Sequence, residues 1–425
     1  MYFGVRMYEI KKPARRYMAY ISSIGTTQLH LRNPWVMAGW SGMFPGFGHL
    51  LMSKYLRGYL LFFWEVYVNF NAHINDAIFY SFTGEFDMAK NVLDKNWMLL
   101  YISTYLFAVW DSYRTCVDLN NNYILASRED AEINMFKMDA IEINYFDKKP
   151  PWTSVAWSTI MPGSGQLSIH RILSAFFILI WWMVIVHYSK VLPAIHYTFL
   201  GDFKQASFVL DKQWFLNIPS LYWFALIDAY TNTVEGNKLF DWEQSKFLNR
   251  NYQKKYFYMP SMMENRGEHM QIISTFEHSV SLEKAITAIQ MKGVAKENIL
   301  AVPMDKRGEQ RGLFDSIHYS DGLSLLDVPF LMGAVFMLLG GIYGFKLTWG
   351  PIIWGLICMA VGLLLGLIIK LVFTKKYSKW RFDKKASEVV LIIECKEQQV
   401  ESVKDMLWAH HALGVRKLEL NDKKE

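Results

Sequence analysis

Two aspartates hold the positions best suited to chemistry. Asp111 in "VWDSY" and Asp228 in "LIDAY" each close an otherwise apolar run, at the same place in two copies of one segment. A carboxylate at membrane depth is costly unless paired, so such residues mark either an ion or proton path or a buried ion pair. Lys54 and Arg171 also occupy matching places, each six residues past the second glycine of a Pro-Gly-x-Gly element. Pairing Asp111 with Lys54, and Asp228 with Arg171, would tie that element to the aspartate-bearing helix. Glu65 faces Trp182 across the copies and stands outside the shared design. It reads either as a carboxylate lining a cavity or as an interfacial residue.

Other chemistries find little support. His49, His73, His170, His187 and His196 neither superpose between the copies nor show HExxH spacing, and Cys116, Cys358 and Cys395 form no CxxC. No metal site and no disulfide framework is expected from these patterns. A GxSxG elbow, a phosphate-binding glycine loop and a dinucleotide fingerprint are missing from the sequence, and His410-His411 reads as surface. The expectation is a protein that is not an enzyme and uses no cofactor. Basic runs such as "NRNYQKKYFY" suit anionic lipid headgroups, and no nucleic-acid partner is expected.

The elements that carry these residues belong to a membrane protein. The 425-residue chain is 52% hydrophobic and 16% aromatic, with 20% charged residues and a net charge of +6. Its mean hydropathy is only +0.08, because charged stretches separate the apolar ones. The N-terminus lacks the apolar run and cleavage site of a secretory signal, so no removal is expected. Residues Pro34 to Asn120 superpose on Pro151 to Asn237 without a gap, at an offset of 117. Such duplication has to be recognised before a fold is assigned.

Each copy holds three apolar pieces: the Pro-Gly piece, then 58–72 or 173–189, then 97–113 or 214–230. The second and third are short but plausible spans. In the first, Pro45, Gly46 and Gly48 match Pro162, Gly163 and Gly165. Proline removes a donor and glycine loosens the backbone, so this piece reads as a helix, elbow, helix unit that enters the bilayer or its interface without crossing. Lys11, Lys12, Arg15 and Arg16 precede copy one, Lys246, Arg250, Lys254 and Lys255 follow copy two, and Lys375, Lys376, Lys379 and Arg381 follow the last apolar segment. Placing all of them inside favours two spans per copy. Three per copy would make inverted repeats, as in transporters. The outer loop also recurs, with Phe86, Ala89 and Val92 or Leu93 at helical spacing; this helix either covers its own hairpin or docks a partner.

The elbow in "MPGSGQL" with "LIDAY", and "FPGFGHL" with "VWDSY", resembles TM2-like modules and the bacterial PGxGQ-type membrane proteins, in which such an elbow precedes a helical hairpin. Copy one carries His49 where copy two has Gln166. The resemblance covers about 200 residues and implies architecture rather than mechanism.

The last third is built differently. "MQIISTFEH" reads as a strand, Leu282, Ala285, Ile286 and Ile289 form a helical stripe capped by Ser281 and ended by Gly293, and a second strand follows. After a membrane insertion the order repeats: Val389 to Ile393 as a strand, Val400, Val403 and Leu407 on a helix stopped by Gly414, and Lys417 to Leu420 as a last strand. The halves would close into one ferredoxin-like sandwich. Between them Val328 to Phe345 and Ile352 to Phe373 form a pair of spans. Gly340 with Gly344, and Gly362 with Gly366, give the small-xxx-small spacing of a glycine zipper, for the hairpin itself or for a homodimer seam. This half resembles the bacterial general-stress proteins in which a glycine-rich membrane hairpin interrupts a small α/β domain.

The expected fold is therefore a mainly α-helical polytopic membrane protein with a C-terminal α+β ferredoxin-like cytosolic domain split by a transmembrane hairpin. Its parts would be 1–33 as an interfacial or cytosolic segment, 34–120 and 151–237 as membrane repeats, 121–150 and 238–269 as linkers, and 270–422 as the split domain with its hairpin at 328–373. Six spans and two elbows would sit in the cell membrane with both termini cytoplasmic. The expected role is a scaffold or regulatory subunit whose partners are the lipid bilayer and a protein or a second copy. The alternative is an ion or small-solute transporter with Asp111, Asp228 and Glu65 on its path.

Overall fold

The computed structural model describes residues 15–253, 269–304, 326–373 and 388–418. Lys11, Lys12, Lys254, Lys255, Lys375, Lys376, Lys379, Arg381 and the end of the expected last strand at Leu420 lie outside the described residues. The chain divides into two compact units: Met1–Tyr145 with Pro150–Thr233 and Ser320–Tyr377, and Phe146–Lys149 with Val234–Tyr319 and Ser378–Glu425.

The first unit is mainly helical. A hairpin of β1 (Ala19–Ser22) and β2 (Gly25–Gln28) precedes copy one, which comprises α1 (Pro34–Met43), α2 (Phe47–Leu51), α3 (Tyr55–Ala72), α4 (Ile74–Phe82), α5 (Phe86–Val92) and α6 (Lys95–Glu129). A second hairpin, β3 (Phe136–Met138) and β4 (Ile143–Tyr145), fills part of the stretch expected as a bare linker. Copy two repeats the order as α7 (Pro151–Ile160), α8 (Ser164–Ser168), α9 (Ile172–Ser189), α10 (Val191–Phe199) and α11 (Phe203–Val209). Its last helix is divided into α12 (Lys212–Phe215) and α13 (Ile218–Tyr252), because Pro219 cannot continue the first turn.

The copies agree down to backbone angles. Gly46 and Gly163 take φ of 99° and 101°, and Gly84 and Gly201 take 80° and 78°. The match extends to non-glycine residues: Ser53 and His170 at 58° and 59°, His73 and Lys190 at 55° and 56°. Asp94 and Asp211 accept the N–H of Trp97 and Trp214, capping the helix that follows the outer turn in each copy.

The chain's final membrane-type element is α15 (Asp327–Gly344) with α16 (Gly350–Phe373). Among the described residues, three helices are long and apolar enough to cross a membrane: Ile172–Ser189, Asp327–Gly344 and Gly350–Val372. These candidate spans fit a membrane protein, three by length and composition where six are expected. Copy one's α3 falls short because Arg57, Glu65, Asn69 and Asn71 interrupt its apolar run.

The second unit is built on a four-stranded antiparallel sheet in the order β6-β7-β5-β8, with β5 at His269–Phe276, β6 at Ile299–Pro303, β7 at Val389–Lys396 and β8 at Gly414–Leu418. Helices α14 (Val280–Met291) and α17 (Val400–Ala409) supply Leu282, Ile286, Ile289, Val403 and Leu407 to a core shared with Ile272, Leu391 and Ile393. Three sequence expectations need correction here. Residues 238–252 are the end of α13 rather than linker, and Leu248 and Tyr252 join this core. Ser279, not Ser281, sits at the start of α14. Gly414 opens β8, while α17 ends at Ala409 with His410 as its cap, and His411 takes the left-handed turn, with φ 65°.

Candidate functional site

The elbow doubles back along the aspartate helix. Trp35 at the start of α1 packs on Tyr113 of α6, with ring centroids 4.9 Å apart, and the carbonyl of Gly42 near its end accepts the Tyr105 hydroxyl at 2.7 Å. After the elbow, His49 Nε2 lies 2.9 Å from Asp111 Oδ2, and Arg57 Nη1 donates to the same oxygen at 2.8 Å. The contacts on α6 thus run from residue 113 to 105 and back to 111. Copy two traces the same path: Trp152 on Tyr230, Tyr222 to the carbonyl of Thr159, then Gln166 and Arg171 to Asp228.

The elbow glycines make the reversal possible. A Cβ on Gly48 would strike the carbonyl oxygen of Met37, and one on Gly165 the carbonyl oxygen of Ser154, so α1 and α2, or α7 and α8, meet backbone to backbone. Gly46 and Gly163 need their left-handed φ, and there is no room for a side chain: a Cβ on Gly46 would meet the Gly58 carbonyl oxygen. Pro45 and Pro162 are buried within the two turns.

The clasps differ in the source of their cation. Arg171 Nη2 reaches Asp228 Oδ1 at 3.3 Å while Nη1 donates to Asn232 Oδ1 at 2.6 Å. Gln166 Nε2 donates to Asp228 Oδ2 at 3.3 Å and Asn232 Nδ2 to Oδ1 at 2.9 Å, leaving the carboxylate 1% exposed with both oxygens bound. In copy one the expected partner Lys54 is exposed at the start of α3. Arg57, one turn later on the same helix face, takes its place and also donates to Thr115 Oγ1 at 3.4 Å. Copy two has Ser174 at the position of Arg57, so its cation comes from the earlier turn. The Arg57 side chain is 53% exposed against 3% for Arg171, which lies under the Tyr55 ring.

A further pair was hidden in the sequence. Asn120 exchanges two hydrogen bonds with the backbone of Arg32 at 3.0 and 2.8 Å, and Asn237 does the same with Lys149 at 2.9 and 2.8 Å. These asparagines form the last matched pair of the duplication, which was the available signal. Burial lowers the pKa of the Lys149 ammonium.

No family model, curated protein or solved structure matches the chain.

Glu65 sits in a network that crosses between the copies. Its Oε1 accepts Asn69 Nδ2 at 3.0 Å and the Tyr101 hydroxyl at 3.3 Å, while Oε2 is buried without a hydrogen bond. Asn69 Oδ1 accepts Gln213 Nε2 at 2.8 Å, and Asn75 Nδ2 donates to the Gln213 carbonyl at 2.8 Å. The glycine zipper is consumed within the hairpin. A Cβ on Gly340 would meet Trp354 and Cys358, on Gly344 Pro351, on Gly362 Met332 and Phe336, and on Gly366 Pro329.

In the second unit Lys148 pairs with Asp241 at 2.7 Å and Glu388 at 3.3 Å. His278 Nδ1 lies 3.0 Å from Gln244 Oε1 and Nε2 3.1 Å from Ser245 Oγ, which fixes Nδ1 as the protonated nitrogen. This cluster stitches α13 to the start of α14. Cys395 is buried, which pushes its thiol up to about 11, and it is inert as a nucleophile near neutrality. Among the described residues no three His, Cys, Asp or Glu side chains converge on a metal position.

Proposed function

We propose that the protein is an integral, multi-pass membrane scaffold or regulatory subunit whose ferredoxin-like domain, interrupted by the α15–α16 hairpin, binds a protein partner on the cytoplasmic side. The observation that carries this reading is the saturation of Asp228: Arg171, Gln166 and Asn232 occupy both of its oxygens in a site closed to solvent. A carboxylate held on both oxygens and closed off from solvent is suited to tying the elbow to its helix. The elbows in this reading are re-entrant: each enters the bilayer beside the aspartate helix and returns to the face it left.

The arrangement of ends supports a common orientation. Glu85 pairs with Lys346 at the α15–α16 turn, where Phe345 also meets Phe79 and Phe215. At the other end of α15, Phe330 packs on Trp223 and Tyr230. The three outer turns then share one face, and the linker carrying β3 and β4 lies on the opposite, cytoplasmic one.

Two measurements test this. Asp111→Asn with Asp228→Asn should lower abundance and thermal stability; retention of both with loss of ion flux in proteoliposomes would favour a transporter instead. A topology reporter between Asp139 and Glu142 should report the cytoplasm, and an external signal would make the repeats inverted. Transport is the second reading, favoured by the unpartnered oxygen of Glu65.

A further inference from the structure

We infer that Glu65 is a proton-binding site seated in the seam between the two copies. The residue lies mid-way along α3, 3% exposed, and both of its hydrogen-bond donors, Asn69 Nδ2 and the Tyr101 hydroxyl, address Oε1. Oε2 is shielded and receives none. A neutral acid, whose carbonyl oxygen accepts at Oε1 while Oε2 holds the hydrogen, leaves a single O–H unpaired in this setting. An ionised carboxylate so placed would be a buried charge with no counter-ion, the costliest arrangement a polar group can take.

Among the described residues, the cations near Glu65 are engaged elsewhere. From α6 the groups facing Glu65 are the Tyr101 and Tyr105 hydroxyls, the latter bound to the Gly42 carbonyl. His49 of α2 and Arg57, two turns earlier on α3, are both bound to Asp111. Asp76 of α4 pairs with His73, and Lys212 of α12 lies over the Phe79 and Tyr80 rings. Helix α9, which meets α3 through Phe177 and Trp181, contains no Asp, Glu, Lys or Arg.

The proton is coupled to the joint between copies. The Asn69 amide that donates to Glu65 also receives Gln213, and Gln213 Oε1 in turn accepts the Asp76 N–H at 3.0 Å. Glu65 thus ends a hydrogen-bonded chain running from copy one through α4 to copy two. The counterparts of Glu65, Asn69 and Asn75 in copy two are Trp182, Val186 and Leu192, so the site exists once. Protonation forms one O–H bond at Oε2 with a proton taken from water. Ionisation returns that proton and leaves a charge that pulls the Asn69 amide away from the seam.

Infrared spectroscopy of the full chain in bilayer nanodiscs, labelled with carboxyl-¹³C glutamate, tests the proposal. At neutral pH the wild type should show a protonated-carboxyl C=O band that Glu65→Gln abolishes. Tyr101→Phe should move that band to higher wavenumber, because the carbonyl loses one of two donors. If Glu65→Gln fails to fold, the Tyr101→Phe shift still decides the matter. Absence of the band in folded wild type, or a band unmoved by both variants, overturns the proposal. Coupling to the seam has a separate signature. The native state would keep a proton that the unfolded chain releases, so wild-type melting temperature should fall as pH rises above the ordinary carboxylate range, while Glu65→Gln should not show that fall. Parallel pH profiles would refute the coupling.

Discussion

Copy one and copy two hold the same aspartate with different hands. Both return the chain through a Pro-Gly-x-Gly turn and place a side chain of the short second helix, His49 or Gln166, on the carboxylate. The cation moves by one helical turn, from the place of Arg171 to that of Arg57, and from burial to half exposure. Surroundings differ as well: Phe47 of the first elbow stacks on Phe224 at 4.2 Å and Gly39 lies against Leu331 of α15, whereas Trp157 and Ile160 of the second elbow are exposed. The lesson is that the elbow backbone and the carboxylate are the fixed parts, and the cation is replaceable so long as it lies on the inward face of the next helix.

The fixed backbone is the most sensitive place. Gly46→Ala and Gly163→Ala should each cost about 3 kcal/mol or more, since a left-handed side chain is strained and its Cβ meets packed neighbours. Loss of folded, extractable protein is the expected readout. Next comes the buried clasp: Asp228→Asn leaves Arg171 uncompensated and should cost about 3–5 kcal/mol, whereas Asp111→Asn, whose Arg57 can turn to water, should cost about 1–2 kcal/mol. Equal losses in the two copies, measured by thermal unfolding in detergent, would contradict the difference in burial.

The position of the cation has a smaller effect. Arg57→Ser should destabilise copy one by about 1 kcal/mol, and adding Lys54→Arg should recover most of it by copying the arrangement of copy two. A double variant no better than the single would show that the earlier position cannot reach Asp111. The smallest effect belongs to the surface pair Arg16 and Glu129, 2.7 Å apart. The Arg16 hydrogen bond lowers the Glu129 pKa, so the contribution of this pair is present above the ordinary carboxylate range and fades as pH falls through the lowered value. It should also weaken with salt, and Glu129→Gln should remove both dependences.

Much of this was written in the primary structure, for physical reasons that also explain the gaps. The elbow was legible because only glycine satisfies its backbone, and the aspartates because apolar flanks expose a lone charge. Arg57 was not, since two cations one turn apart share a face and exposure alone separates them. The continuation of α13 past 238 looked like a basic linker because Leu248 and Tyr252 are isolated among charged residues. Asn120 and Asn237 bind backbone, which no side-chain pattern announces. The Glu65 seam joins residues nearly 150 positions apart, such as Asn69 and Gln213, and has no counterpart in the other copy to advertise it.

The strand order has a consequence for synthesis. β5 and β6 are made first, yet neither pairs with the other; β5 lies between β7 and β8, and among the described residues β6 pairs only with β7. Both missing strands are encoded after the apolar helices α15 and α16. A ribosome therefore releases two strands that stay open until that hairpin has emerged, and a chain stalled or truncated within it presents raw sheet edges for chaperones and proteases to find.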